Sequence, residues 1–254
     1  MNFSFKTDIG KYRKKNEDST IIVENDSHDI FMMAMDGMGG HNLGDLASSL
    51  AEDYLIKAFN KKKKFLCKLD MKWWLRRTIK KTNDYLFKYT NNVPSSKGMG
   101  TTFTCYLIHK NTVLMCYIGD TRAYIIKDKK MIQQSIDETY VEYLYRLGRL
   151  KREDMKNHPS KHVITNALGC YEQISINLKF IKDEYDYLLL CSDGLYNMVN
   201  EDKIAEIIYD NNLDEAVDIL IKEANEAGWL DNIAIALYRK GGEKHGKKWR
   251  CNYR

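Results

Sequence analysis

Only two prolines occur in 254 residues, and nowhere do about eighteen apolar residues follow one another. The second absence excludes a hydrophobic membrane-spanning helix. The N-terminus also lacks the short apolar run of a secretion signal, so a cytoplasmic protein is expected. No proline-rich linker, internal repeat or low-complexity block occurs. The six cysteines, at 67, 105, 116, 170, 191 and 251, show no paired spacing. A disulfide framework and a zinc cage are therefore not expected. Cys105, Cys116 and Cys191 lie inside apolar runs and read as reduced core residues. The glycine-rich MGGHNLG is not followed by Gly-Lys-Ser/Thr, which excludes a nucleotide-binding P-loop. Acids are outnumbered by bases, 35 to 40, giving a net charge of +5. Lys61 to Lys64 and the tail GGEKHGKKWRCNYR carry part of that excess. No nucleic-acid recognition motif accompanies it, so it reads as solvated surface with a bias toward acidic partners.

An apolar content of 44% suffices for a substantial core. Strand-like runs lie near 2–9, 19–24, 29–35, 101–109, 112–118, 122–127, 175–182, 186–191 and 232–239. Between them, Leu46, Ala47, Leu50, Ala51, Tyr54, Leu55 and Ala58 form one stripe at helical spacing. Leu75, Ile79, Thr82, Leu86 and Tyr89 form a second. A third helix is predicted after Asn212, with Glu215 three residues on as a capping box and Gly228 as its stop. Strands and helices come in blocks, not in strict alternation. That order predicts an α+β protein of mainly antiparallel sheets with helices outside.

Five short segments each carry an aspartate: Asp18 in KYRKKNEDST, Asp36 in FMMAMDGMGGH, Asp120 in MCYIGDTRAY, Asp193 in LLLCSDGLYN and Asp231 in WLDNIAIAL. Asp36, Asp120 and Asp193 each end an apolar run and stand beside Gly or Ser/Thr, where a buried strand gives way to a turn. Singly, each has a plain reading. Asp-Gly is a turn dipeptide, Asp120-Thr121 suits a hairpin, Asp193 suits the cap of a helix begun by GLYNMV, and Asp231-Asn232 suits a solvated corner. Jointly, carboxylates delivered from separate strand ends can converge. Two such charges about 4 Å apart repel by roughly 4 kcal/mol at an effective dielectric near 20, so a converged set demands a cation or protons.

The stretches TDIGKYRKKNED (7–18), MDGMGGHNLGDLAS (35–48), GMGTTFTC (98–105), YIGDTRAY (117–124), HPSKHVITNALG (158–169), CSDGL (191–195) and DNIAI (231–235) occur in an order that resembles the type 2C metal-dependent protein phosphatases, in their compact bacterial form. The likeness runs from about Asp8 to Tyr238. It implies a four-layer α-β-β-α sandwich, two mainly antiparallel sheets flanked by helix pairs, with the metals in a cleft at one end. One catalytic domain would span 1–240, with 135–174 as a flap beside the cleft and 241–254 as a flexible basic tail. In that family Asp36 would bridge two divalent ions, Mn²⁺ or Mg²⁺, with the Gly37 carbonyl ligating one and Asp193 and Asp231 completing the other. Asp120 with Asp193 would hold a third ion. Glu17 and Asp18 would hydrogen-bond waters on the metals, and Arg13 would bind phosphate. An all-oxygen donor set suits such hard ions independently of the likeness.

The chain departs from the family twice. Met38 stands where eukaryotic members carry a histidine taken as the general acid. The nearest histidine is His41, a candidate acid or a structural residue at a helix entrance. After Gln134 the chain reads SIDETYVEYL (135–144), where relatives carry a threonine followed by Asp-His-Ser. The resemblance implies a phosphoserine/phosphothreonine phosphatase, monomeric, acting on phosphoproteins that include a cognate kinase, with no nucleic-acid or membrane partner. Two alternatives are a catalytically dead binding module and a switch phosphatase dedicated to one regulatory phosphoprotein. A dead module has no reason to keep a repulsive set of acids, and a switch phosphatase would normally bring sensor domains.

Overall fold

Period-two alternation sets the architecture, and β3 shows it most directly. In the computed structural model, which describes residues 2–39, 43–182, 184–228 and 231–241, Phe31, Met33 and Met35 face one apolar layer while Met32 and Ala34 face another. A strand that is apolar on both faces must be covered on both, which requires a layer on each side.

The chain forms β1 (Phe3–Asp8), β2 (Asp18–Glu24), β3 (Ile30–Met38), α1 (Gly44–Lys61), α2 (Lys68–Asn92), β4 (Gly100–Thr101), β5 (Phe103–His109), β6 (Thr112–Ile118), β7 (Arg122–Lys127) and β8 (Lys130–Gln133). It continues through α3 (Tyr140–Arg146), α4 (Arg152–Met155), β9 (Asn177–Ile181), β10 (Tyr187–Cys191), α5 (Asp193–Tyr196), α6 (Glu201–Asp210), α7 (Leu213–Glu226) and β11 (Ile233–Arg239). One sheet runs β1-β11-β10-β7-β8; the other runs β2-β3-β5-β6-β9, with β4 paired to β3. All of these pairs are antiparallel.

Three apolar layers follow. Ile22, Met32, Tyr106, Ile125, Leu188 and Ala236 fill the space between the sheets. Phe31, Met33, Leu55, Phe59, Leu75 and Ile79 join the second sheet to α1 and α2. Leu189, Ile204, Ile208, Val217 and Leu220 join the first sheet to α6 and α7. Burying each large apolar side chain contributes about 1.5–3 kcal/mol, so these layers hold the frame on which the site rests. The four-layer α-β-β-α order is as the sequence implied.

Most element positions match the sequence reading to within one or two residues. Asn212 caps α7 as expected, its Oδ1 accepting the Glu215 N–H at 3.0 Å. Four features differ. β8 (KMIQ) was not anticipated, because four residues with Met131 and Ile132 side by side show no period-two alternation in sequence. α6 was missed as well. Asp193 does not cap α5; Ser192 occupies the N-cap position. Finally, Asp120-Thr121 is no hairpin turn, since β6 and β7 belong to different sheets and the turn carries the chain from one to the other. The segment 135–174 is stitched at both ends: Thr165 N–H donates to Glu138 O at 2.8 Å, and Leu168 N–H to Thr101 O at 2.9 Å. Of the tail, residues 242–254 lie outside the described residues.

Candidate active site

Antiparallel pairing gathers the acids. β2 begins where β3 ends, so Asp18 and Asp36 are direct cross-strand partners. β10 ends where β11 begins, which sets Asp193, first residue of α5, beside Asp231, two residues ahead of β11. The β6–β7 crossover, running between the sheets, supplies Asp120. Asp36 is fixed through its backbone: its N–H donates to Thr102 Oγ1 at 2.8 Å, and its carbonyl accepts from Thr102 N at 2.9 Å and from Thr101 Oγ1 at 3.0 Å.

Two glycines permit approaches that no side chain would. A Cβ at Gly37 would lie 2.1 Å from Gly44 O and 2.6 Å from Glu17 O. A Cβ at Gly194 would lie 2.0 Å from Asn232 O. Glycine at these positions lets backbone touch backbone, so that Asp36 is set against the start of α1 and Asp193 against Asp231.

The acids perturb one another. Burial raises the Asp36 pKa well above the carboxylate range, and Asp18, Asp193, Asp120 and Asp231 raise it further. Asp193 is raised likewise, by burial and then by Asp120, Asp231 and Asp18. Asp18 is pushed up to about 7, chiefly by burial, against a hydrogen bond from Ser192 that lowers it. Burial, with Asp137 second, raises Asp120 to about 6. Arg13 meets this field from outside: its Nη2 lies 2.7 Å from Asp231 Oδ2, and its Nη1 lies 3.9 Å from Glu17 Oε2. Burial works against the guanidinium charge, but Asp231, Glu17 and Asp36 outweigh it and hold the Arg13 pKa above its ordinary value.

Residues that the sequence reading left without roles hold the acids in place. Ser192 Oγ accepts the Ala234 N–H at 2.9 Å and donates to Asp18 Oδ2 at 2.6 Å. Asn232, only 2% exposed, accepts the Glu17 N–H at 2.8 Å and donates to Ile9 O and Lys15 O, both at 2.9 Å. It thus fastens the loop bearing Arg13 and Glu17 to the strand beside Asp231. Glu17 Oε1 accepts the Gly44 N–H at 3.0 Å, at the start of α1. The only sequence signal for Ser192 and Asn232 was their place beside Asp193 and Asp231.

Glu138 lies in the segment that departs from the family. Its Oε2 accepts from Gly119 N at 2.9 Å and Asn166 Nδ2 at 2.7 Å, and its Oε1 accepts from Asn177 Nδ2 at 2.8 Å. One carboxylate therefore ties the Asp120 turn to residue 166 and to β9. Behind the same turn, Arg122 forks onto Asp137 and lies 3.6 Å over the Tyr196 ring, while Tyr196 Oη donates to Asp120 O at 3.2 Å. His41 lies outside the described residues.

Of the predicted site residues, Arg13, Glu17, Asp18, Asp36, Gly37, Asp120, Asp193 and Asp231 all lie at this one end of the sandwich. An assembly of this kind, acids converging from both sheets with an arginine on their outer side, is one that handles phosphate with a cation. The comparisons agree. The family model for protein phosphatase 2C matches residues 12–226. The serine/threonine phosphatase stp of Listeria monocytogenes serovar 1/2a is 34% identical over 249 residues, covering 97% of this chain and 99% of that protein. A crystal structure of a bacterial serine phosphatase superposes with a TM-score of 0.89 at 32% identity, over 96% of this chain and 100% of the other. Serine/threonine phosphatase Stp1 from Staphylococcus aureus gives 0.88 at 32%, over 94% and 95%. The chain belongs to the protein phosphatase 2C family.

That family depends on divalent metal, and the residues here fit one. The donors are oxygen only, and burial and neighbouring acids raise Asp36 and Asp193 well above the carboxylate range, as expected of a site whose charge balance needs a cation. As the side chains lie here, no three His, Cys, Asp or Glu among the described residues stand at the spacing of ligands to one ion. Arg13 engages an oxygen of Asp231 instead.

Proposed function

We propose that the protein hydrolyses phosphoserine and phosphothreonine esters on phosphoproteins, with a cognate protein kinase among its partners. The observation that carries this reading is Asp36, a buried carboxyl whose pKa is raised further by four aspartates from separate elements, Asp18, Asp193, Asp120 and Asp231. Asp36, the Gly37 carbonyl, Asp193 and Asp231 would hold two divalent ions, Mn²⁺ or Mg²⁺, and Asp120 with Asp193 a third. When bound, such ions supply a hydrolytic water made nucleophilic at neutral pH and neutralise charge on the phosphoryl oxygens.

The chain's own groups do the rest. Arg13, at the rim and already poised on a carboxylate, offers a two-pronged fork for non-bridging phosphate oxygens and orients the ester. Asp18, its Oδ2 held by Ser192, would hydrogen-bond water on the ions. Glu17 braces the start of α1 against Gly37. No covalent phosphoenzyme is needed in this scheme, and the segment 135–174 would form a flap beside the site.

The test is hydrolysis of p-nitrophenyl phosphate and of a phosphothreonine peptide, with Mn²⁺ and with EDTA. Turnover is expected only with metal, and Asp36→Asn is expected to lose about 3 decades in rate. Full activity after exhaustive EDTA dialysis, or an Asp36→Asn variant keeping a tenth of the wild-type rate, overturns the assignment.

A further inference from the structure

On the solvent side of the helix pair, α1 and α2 leave a groove of about 450 Å³ lined by Tyr54, Lys57, Lys61, Trp73, Trp74, Arg77 and Lys81, with Ala58 and Thr78. Two features separate it from an ordinary solvated helix face. Its floor is aromatic. Trp74 is rooted in the core against Phe31, Phe59 and Phe65, at 5.8, 6.1 and 5.3 Å between ring centroids. Trp73 is 60% exposed, with the Arg77 guanidinium 5.0 Å from its ring, and Tyr54 is stacked on Tyr85 at 5.4 Å. Its charge is of one sign. Four cations line it and no acid does. Among the described residues, only Lys57 of these four pairs with a carboxylate, Asp53 at 3.3 Å.

We infer that this groove docks an acidic segment of the phosphoprotein substrate, its carboxylates on Lys61, Arg77 and Lys81 and one apolar side chain on the Trp73–Trp74 floor. The inference rests on the phosphatase reading above and extends it to substrate choice. Charge complementarity selects the occupant: four cations repel a basic partner and offer a neutral one no Coulombic gain, while an acidic one gains at each contact. The helix supplies the spacing. α1 starts at Gly44, against Gly37 and Glu17, and the groove residues Tyr54 to Lys61 lie roughly 15–25 Å further along it at about 1.5 Å per residue. An extended peptide spans that in about five to eight residues at roughly 3.3 Å each. The acidic block therefore has to stand at least that far from the phosphorylated residue.

The experiment uses phosphothreonine peptides bearing a Glu-Asp-Phe-Glu-Asp block, or its Gln-Asn-Phe-Gln-Asn counterpart, on either side of the phosphoresidue behind Gly-Ser spacers of zero, six or ten residues. KM and kcat are measured with Mn²⁺ at low and at physiological salt, for wild type and for Arg77→Glu/Lys81→Glu, whose exposed positions leave the fold intact. Acidic peptides with the longer spacers are expected to show KM about three- to ten-fold below their neutral counterparts, an advantage shrinking with salt. The variant is expected to lose that advantage while hydrolysing p-nitrophenyl phosphate as wild type does. Equal KM for acidic and neutral peptides, an advantage already complete without a spacer, or an advantage surviving in the variant each overturns docking here. Absence of any turnover would instead refute the phosphatase reading. Docking is then still decided by tryptophan fluorescence, which the unphosphorylated acidic peptide should change in wild type and not in Arg77→Glu/Lys81→Glu.

Discussion

Without metal, this protein should lose stability as pH rises through neutrality, because the fold holds acids whose charged forms it disfavours. Asp18 is 8% exposed and its pKa is raised from the ordinary 3.8 to about 7, by burial first. A group whose pKa is raised in the folded state contributes stability fully present below its unfolded pKa and lost as pH climbs to the folded one. Between pH 5 and 7.5 the Asp18 share comes to about 2.5 kcal/mol, since the slope of 1.36 kcal/mol per pH unit fades near the folded pKa. For a chain of this size each kcal/mol moves Tm by roughly 2–4 °C, so the share is about 5–10 °C. Asp36, Asp193 and Asp120 act in the same direction, and since protonating one relieves the others, the Asp18 figure sets the scale. Asp70 and Asp186, whose pKa values are lowered, finish titrating below this window. The assay is thermal melting in EDTA at pH 5 and 7.5, for wild type and Asp18→Asn. Asp18→Asn should remove about 5–10 °C of the wild-type fall. Mn²⁺ at a hundred times its Kd should restore about 2.7 kcal/mol at pH 7.5 and flatten the slope. A wild-type Tm that holds or rises from pH 5 to 7.5 in EDTA, or an equal fall in Asp18→Asn, refutes the reasoning.

Arg13→Ala should raise KM several-fold with a smaller drop in kcat, since a rim arginine that clamps phosphate acts largely in the ground state; a collapse of kcat at constant KM would assign it to the transition state. Gly194→Ala should cut activity severely with Mn²⁺ saturating, because its Cβ enters the space of Asn232 O and parts Asp193 from Asp231; wild-type turnover in a folded variant would show that the contact does not set the site. Glu138→Gln turns an amide toward N–H donors and should cost about 1–3 kcal/mol by melting while raising the Mn²⁺ needed for half-maximal rate, through the Asp120 turn. An unchanged Mn²⁺ requirement with a lowered Tm would leave Glu138 a purely structural tie.

The parts legible in the sequence were those with a strong local pattern. The stripe from Leu46 to Ala58 and the Asn212–Glu215 cap announced α1 and α7, because helical spacing and capping are local properties. Strand existence was equally plain where both faces are apolar, as in β3, β5 and β10. What the sequence could not show was which strands share a sheet. The GDTR turn reads as a hairpin from its residues alone, and only the packing of two sheets makes it a crossover. The same holds in the site. The acids were legible because charge at the end of an apolar run is conspicuous. Ser192, Asn232 and Glu138 were not, because their function lies in hydrogen bonds to residues between 19 and 223 positions away.

This division has a physical origin that also explains why the site survives in the fold. The three apolar layers supply the favourable free energy and need only volume and alternation, which a sequence displays openly. The acid cluster is a net cost to folding, so it persists only where surrounding structure over-determines each carboxylate. Asp36 is fixed by three backbone hydrogen bonds, Asp18 by Ser192, and the Arg13 loop by Asn232. Each of these ties joins segments distant in sequence, so the supports of an unfavourable site are the residues a linear reading hides best. Relaxing a support should loosen the site and also cost stability wherever it leaves buried donors or acceptors unpaired. Asn232 is the sharpest case, for it fastens Glu17 and the loop carrying Arg13 to the segment that leads from Asp231 into β11.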